Sequence, residues 1–121
     1  MIPKLMVIED DANMFSLLQM LLEFEGYEVV LWEGGEHVQD TVDSLCQEKP
    51  DLILMDVHLR HLNGFDVLES IRKEPDLDGV KVLIASGVDM NERSRQAGAD
   101  GFILKPFMPD ELINKIQQTL G

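Results

Sequence analysis

The sequence predicts an α/β fold in which a doubly wound, five-stranded parallel sheet carries helices on both faces. Three observations point there. The spacing of apolar residues along the 121-residue chain switches repeatedly between strand-like and helix-like. The strand-like runs are short and almost wholly apolar, as strands buried on both faces must be. Four of them end in residues of chemical use: Glu9-Asp10-Asp11, Asp56, Ser86 and Lys105. In parallel strands these would share one sheet edge, where α/β proteins build their sites.

Leu5-Met6-Val7-Ile8 reads as the first strand. Met14, Leu18 and Leu21, with Leu17 and Phe24, recur at helical spacing, and Gly26 follows as a helix stop. Tyr27 to Trp32 alternates as a second strand, broken by Gly34-Gly35, and Trp32 is expected to be partly buried at its end. Val38, Val42 and Leu45 mark the second helix, which Pro50 cannot continue. Leu52 to Met55 is the third strand. Asn63-Gly64 signals a turn before a helix carrying Phe65, Leu68 and Ile71.

Pro75 to Gly79 reads as a loop and Val80 to Ala85 as the fourth strand. Asp89 to Ala97 has few apolar residues and makes a weak helix. Gly98 and Gly101 bracket the entry to the fifth strand, Phe102-Ile103-Leu104. Pro109, Asp110 and Glu111 suit the first turn of a last helix, with the acids at the positive end of its dipole. Leu112, Ile113, Ile116 and Leu120 supply its apolar face. The chain shows no repeat, linker or low-complexity tract and is read as one compact unit, residues 1–121.

A net charge of −13 argues against direct nucleic-acid binding, which requires cations facing the phosphates. A basic or neutral partner surface, or a divalent cation, suits this charge better. The lone Cys46 excludes an internal disulfide, fits a reducing cytoplasm, and lies on a helical apolar stripe as a buried structural thiol. No apolar run approaches the ~18 residues that span a bilayer, and the start of the chain has no signal-peptide pattern. A cytoplasmic protein without membrane contact is expected.

Glu9, Asp10 and Asp11 are consecutive acids at a strand mouth. Like charges raise one another's pKa unless a cation compensates, and Mg²⁺ favours such hard oxygen donors. Alternatively, Asp11 or Asn13 caps the first helix and the other acids are merely solvated. Asp56, at the equivalent end of another strand, favours the metal, and its carboxylate is placed to attack phosphorus. Phosphoryl transfer needs mainly positioning and charge neutralisation. Lys105 offers a cation for the phosphoryl oxygens and a resting partner for Asp56, and Ser86 offers a hydroxyl.

These motifs give the chain a specific resemblance. Val7-Ile-Glu-Asp-Asp11, Pro50-Asp-Leu-Ile-Leu-Met-Asp56, Asn63-Gly-Phe-Asp-Val-Leu68, Val82-Leu-Ile-Ala-Ser86 and Ala97-Gly-Ala-Asp-Gly-Phe-Ile-Leu-Lys-Pro-Phe107 occur in this order and span nearly the whole sequence. Together they resemble the receiver domain of two-component response regulators, in a single-domain, chemotaxis-regulator-like form. The resemblance implies a flavodoxin-like (βα)5 fold with strand order 2-1-3-4-5. It makes Asp56 the phosphoacceptor and Glu9 and Asp10 the acidic pair. Glu9, Asp10 and Asp56 would form the Mg²⁺ site with the His58 backbone carbonyl, Asp10 holding the ion directly or through water, while Ser86 and Lys105 contact the phosphoryl group.

The resemblance further implies a cis Lys105–Pro106 bond that aims the lysine into the site. Phosphorylation would draw in Ser86 and bias Phe102 inward, reshaping the face of the fourth helix, fifth strand and fifth helix. A histidine kinase or phosphotransfer protein would supply the phosphoryl group. A downstream effector or attached output domain would read it.

Some positions depart from the family. Arg60 stands where many receivers have proline, and Glu9 replaces the commoner aspartate. Lys105 follows Ser86 by only 19 positions, shorter than usual by roughly one helical turn, so the fourth helix should be truncated. Gly87 loosens the loop after Ser86. His58 and Val88 occupy positions that influence how fast the phosphoryl group is lost, whereas His37 and His61 have no coherent metal spacing.

The competing function is a receiver-fold binding module that signals without phosphorylation, which the short fourth helix keeps open. A flavodoxin is rejected because three acids sit where a flavin phosphate would be cradled. An Mg²⁺-dependent hydrolase with an aspartyl nucleophile would carry Asp-x-Asp after the first strand, not Asp56 after the third. Enzymatic action is expected only as self-phosphorylation from a donor and self-dephosphorylation.

Overall fold

A computed structural model describes residues 2–32 and 35–121. Five parallel strands pair in the order β2-β1-β3-β4-β5. They are β1 (Lys4–Ile8), β2 (Glu28–Leu31), β3 (Leu52–Asp56), β4 (Lys81–Ser86) and β5 (Gly101–Leu104). The helices are α1 (Ala12–Phe24), α2 (Val38–Glu48), α3 (Gly64–Lys73), α4 (Asn91–Gln96) and α5 (Pro109–Leu120). This is the doubly wound flavodoxin-like order, and each strand–helix–strand crossover returns the chain to a parallel neighbour.

Period-two alternation divides the strand side chains between two cores. Met6, Ile8, Ile53, Met55, Val82 and Ile84 join residues of α2 and α3. Leu5, Val7, Leu52, Leu54, Leu83 and Ala85 join residues of α1 and α5. Both faces of the central strands are therefore dry, which is why those runs lack a polar alternation.

The helix ends follow local chemistry. Asp11, not Asn13, caps α1, its carboxylate accepting the Met14 N–H at 3.0 Å. Asn63 caps α3 by accepting the Phe65 N–H at 2.8 Å. Lys49 ends α2 in the left-handed region at φ 48°, and Gly26 closes α1 at φ 96°. Of the break assigned to Gly34-Gly35, Gly34 lies outside the described residues.

Four expectations need correction. In α1 the buried residues are Phe15, Leu18 and Leu22, whereas Leu17 and Phe24 are 59% and 87% exposed. This helix is apolar around most of its circumference, so periodicity alone could not select the inward face. The segment read as a loop at Pro75–Gly79 contains a 3-10 turn, Pro75–Leu77, anchored by buried Leu77 and capped by Glu74. Cys46 is half-buried rather than buried, packing at the margin of the α2–α3 core. Trp32, expected to be only partly buried, is buried, and its indole N–H donates to Thr41 Oγ1 at 3.3 Å.

Helix α4 has six residues, the truncation that the short spacing predicts. Lacking an apolar stripe, it is tied to α3. The Arg93 guanidinium lies 4.6 Å from the Phe65 ring centroid. Arg72 of α3 donates to the Gly98 and Val80 carbonyls, each at 2.9 Å, and to Asp100 at 2.7 Å.

Candidate functional site

Register brings the polar strand ends together. Ile8 pairs with Met55, Asp56 with Ala85, and Ser86 with Leu104. Beyond the ladders, the Val57 N–H donates to the Ala85 carbonyl at 3.1 Å, and the Lys105 N–H to the Ser86 carbonyl at 2.8 Å. Glu9, Asp56, Ser86 and Lys105 are thus delivered to one edge by four adjacent strands.

Lys105 Nζ lies 3.1 Å from Asp56 Oδ2 and 3.6 Å from Glu9 Oε1. The side chains of Glu9 and Asp56 are 9% and 15% exposed, so the cation bridges two carboxylates largely withdrawn from water. Burial pushes the Glu9 carboxyl above its ordinary value. The Lys105 charge opposes this rise, and the neighbouring Asp56 charge reinforces it. The Lys105–Pro106 bond is cis.

The loop after β3 closes over the acids. The His58 N–H donates to Asp56 Oδ1 at 3.3 Å, and the Arg60 N–H donates to Asp10 Oδ2. Proline at position 60 would have no N–H to give, so the departure at Arg60 adds a hydrogen bond to the acidic pair. The close approach of α3 also shapes this loop. A Cβ on Gly64 would lie 2.7 Å from the Asp56 carbonyl oxygen.

Glu9, Asp10, Asp56 and Lys105 are therefore gathered as the sequence suggests. Ser86 is at the same edge, but it is fully buried and its Oγ accepts the Val88 N–H at 3.1 Å. Phe102 is half-buried at the margin of the α2–α3 core. Sequence reasoning missed the Arg60 and Val88 amides because backbone donors leave no signature in residue type.

It also missed an apolar groove of about 570 Å³ beside the site. Met14, Leu17 and Leu21 of α1 face Pro106, Phe107 and Pro109 across it, with Lys105 at one end. The signal was present in the surplus of apolar residues on the first helix.

Cys46 stands apart from this edge. Burial raises its thiol pKa, and the Glu74, Asp76 and Asp43 charges raise it further, which suppresses the thiolate. Among the described residues, no helix is long and apolar enough to cross a membrane.

A family model described as "Response regulator receiver domain" matches residues 5–117. The chain belongs to the response regulator receiver family. The transcriptional regulatory protein CpxR of Escherichia coli K12 is 34% identical over 118 residues, covering 97% of this chain and 49% of its own length. The alkaline phosphatase synthesis transcriptional regulatory protein PhoP of Bacillus subtilis is 31% identical, covering 97% and 48% respectively. This receiver spans about half the length of the curated relatives it matches.

The solved chemotaxis response regulator CheY4 of Vibrio cholerae superposes with a TM-score of 0.87 at 20% identity, covering 98% of this chain and 99% of that one. At that identity the likeness concerns the fold. The receiver domain of a sensor histidine kinase from Pseudomonas aeruginosa PAO1 is 25% identical with a TM-score of 0.83, covering 100% and 99% respectively. Its structure has a magnesium ion coordinated in the active site cleft. The present chain is a receiver domain of two-component response regulators, a signalling module.

Proposed function

We propose that this single receiver domain, residues 1–121, accepts a phosphoryl group from a histidine kinase or phosphotransfer protein onto Asp56 and thereby changes its partner-binding face. The supporting observation is the Lys105–Asp56 contact of 3.1 Å, made while the same lysine lies 3.6 Å from Glu9. An Asp56 carboxylate oxygen attacks phosphorus as the bond to the donor's imidazole nitrogen breaks, giving an acyl phosphate. Later attack by water on that phosphorus returns the carboxylate and inorganic phosphate. Lys105, already at hydrogen-bond distance, transfers its contact from the carboxylate to a phosphoryl oxygen.

The donor set suits Mg²⁺. Glu9 and Asp56 share one lysine, and Asp10, next to Glu9 in the chain and bonded to the loop after β3 through the Arg60 N–H, adds a third carboxylate, leaving an excess of hard oxygen ligands. Asp10, Asp56 and the His58 carbonyl would hold the ion, with Glu9 beside them. Bound there, it supplies positive charge for the phosphoryl oxygens. The Arg60 N–H must share or yield Asp10 Oδ2 when it binds.

The apolar groove between α1 and the segment after β5 opens beside Lys105 and fits the phosphodonor protein. Leu17, 59% exposed, gives that partner apolar surface in the groove that Lys105 also lines. At the other flank, Ser86 must release the Val88 N–H before its hydroxyl can reach a phosphoryl oxygen. That exchange moves the loop through Gly87 and permits Phe102 to reposition, which a downstream effector or attached output domain can read.

Lys105→Ala tests this assignment. The variant should still acquire phosphate from acetyl phosphate, more slowly, while the NMR shifts of Ser86 and Phe102 stay at their unphosphorylated positions. Full propagation of shifts in the variant would remove Lys105 from the switch.

A further inference from the structure

The loop between β3 and α3 is anchored at its base and along its inner side, which fixes where its tip can lie. At the base, His58 pairs with Asn63 in an antiparallel bridge, and the Gly64 N–H donates to the Val57 carbonyl at 2.8 Å. Nearer the tip, Leu59 is buried in the α2–α3 core and Leu62 packs against its margin. Arg60 follows Leu59 directly and is exposed. Its amide is thus carried by an anchored neighbour, and that amide donates to Asp10 Oδ2.

The acids of the site differ in how they are neutralised. Asp56 Oδ2 lies 3.1 Å from Lys105 Nζ, which also lies 3.6 Å from Glu9 Oε1, while Asp56 Oδ1 accepts the His58 N–H at 3.3 Å. Among the described residues no salt bridge reaches Asp10. Its charge is met instead by the Arg60 amide. A lysine can withdraw along its flexible stem, whereas a backbone N–H leaves only if the loop backbone moves. Proline, the residue many receivers carry here, would offer no such donor.

We propose that the Arg60 amide is a backbone latch on Asp10, competing with a divalent cation for that carboxylate and so setting the affinity of the acidic site for Mg²⁺. The proposal rests on the reading of Glu9, Asp10 and Asp56 as a metal site and adds a control on it. An ion that needs Asp10 Oδ2 must displace the amide, and its binding constant falls by the strength of the bond it breaks. By linkage, metal binding weakens the attachment of the loop tip by the same factor. Arg60 acts through Asp10 and is a positioning residue, with its amide and not its guanidinium as the working part.

The test is a Mg²⁺ titration of the full chain followed by NMR, with Arg60→Ala and Arg60→Pro measured beside the parent. Alanine removes the guanidinium charge and keeps the N–H; proline removes both, so the ratio of their affinities reads the amide. Arg60→Pro should bind Mg²⁺ about fivefold or more tightly than Arg60→Ala, the scale of one hydrogen bond to a charged group. A merely structural bond would change the urea midpoint and leave that ratio at one. In the parent and in Arg60→Ala, the Arg60 amide proton should move upfield and exchange faster as metal binds. This second readout needs no proline and decides the matter if Arg60→Pro fails to fold. Equal affinities of the two folded variants, or an Arg60 amide unmoved while Asp10 and Asp56 respond, would overturn the latch and leave the metal site standing. A titration that moves neither Asp10 nor Asp56 in any of these proteins would overturn the metal site and the latch with it.

Discussion

Gly64→Ala should damage both the fold and the acceptor loop, through a contact the structure makes explicit. Gly64 starts α3 directly beneath the end of β3, its N–H donating to the Val57 carbonyl at 2.8 Å. An added Cβ would lie 2.7 Å from the Asp56 carbonyl oxygen and 2.9 Å from Val57 Cα. Both are backbone atoms, so relief cannot come from a rotamer change. Either α3 backs away or the Asp56–Val57 peptide is displaced by several tenths of an ångström.

Overpacking of this kind costs about 1–3 kcal/mol, against which the entropic gain of Gly→Ala returns about 0.4–1 kcal/mol. The net expectation is a loss of about 1–2 kcal/mol, or roughly 3–8 °C in Tm. Gly87→Ala is the control, because its Cβ would meet nothing within 4 Å and its backbone is not in the left-handed region. It should be neutral or slightly stabilising. Urea denaturation followed by far-UV circular dichroism measures both, with acetyl phosphate labelling run alongside. A Gly64→Ala protein as stable as its parent, with normal labelling, would refute the close-approach argument.

Three further outcomes follow from individual contacts. Asp11→Ala should cost about 1 kcal/mol by uncapping α1 yet leave Mg²⁺ titration unchanged, whereas Asp10→Ala should abolish the metal response seen by NMR. Because the folded-state pKa of Glu9 is raised, the native state binds the extra proton, and stability falls as pH rises from the unfolded value through the raised folded one. Glu9→Gln should therefore stabilise the metal-free protein above that window and flatten its urea-midpoint profile across it. Arg72→Ala removes donors from Gly98, Val80 and Asp100, and a loss of about 1–3 kcal/mol should accompany faster amide exchange in α4.

Much of this was legible because burial on both sides of a strand writes itself as a continuous apolar run. Leu52 to Met55 and Val82 to Ala85 could hardly be anything else, and the residues ending them are where the site lies. Gly26, Asn63 and Pro109 punctuated helices as their backbone chemistry requires. The truncation of α4 followed from setting the Ser86–Lys105 separation against the spacing usual in the family it resembles. The face of α1 was not legible, because Leu17, Met20 and Phe24 are as apolar as the residues that pack inward. The Pro75–Leu77 turn was hidden by its length, with Pro75 and buried Leu77 its only marks.

Within the site, residue type announced the carboxylates and the lysine but not how they are held at rest. Ser86 bonding back to Val88, and Arg60 donating to Asp10, depend on backbone amides that every residue but proline possesses.

The most direct test of the account is the intact mass of the protein after incubation with Mg²⁺ and acetyl phosphate, with Asp56→Asn measured in parallel. The account predicts an acid-labile, base-labile phosphoryl adduct on the parent chain, mapped to Asp56 and missing from the variant, with NMR shifts spreading to Ser86, Phe102 and Lys105. An adduct of equal yield on Asp56→Asn, or none on the parent under any Mg²⁺ concentration, would contradict it.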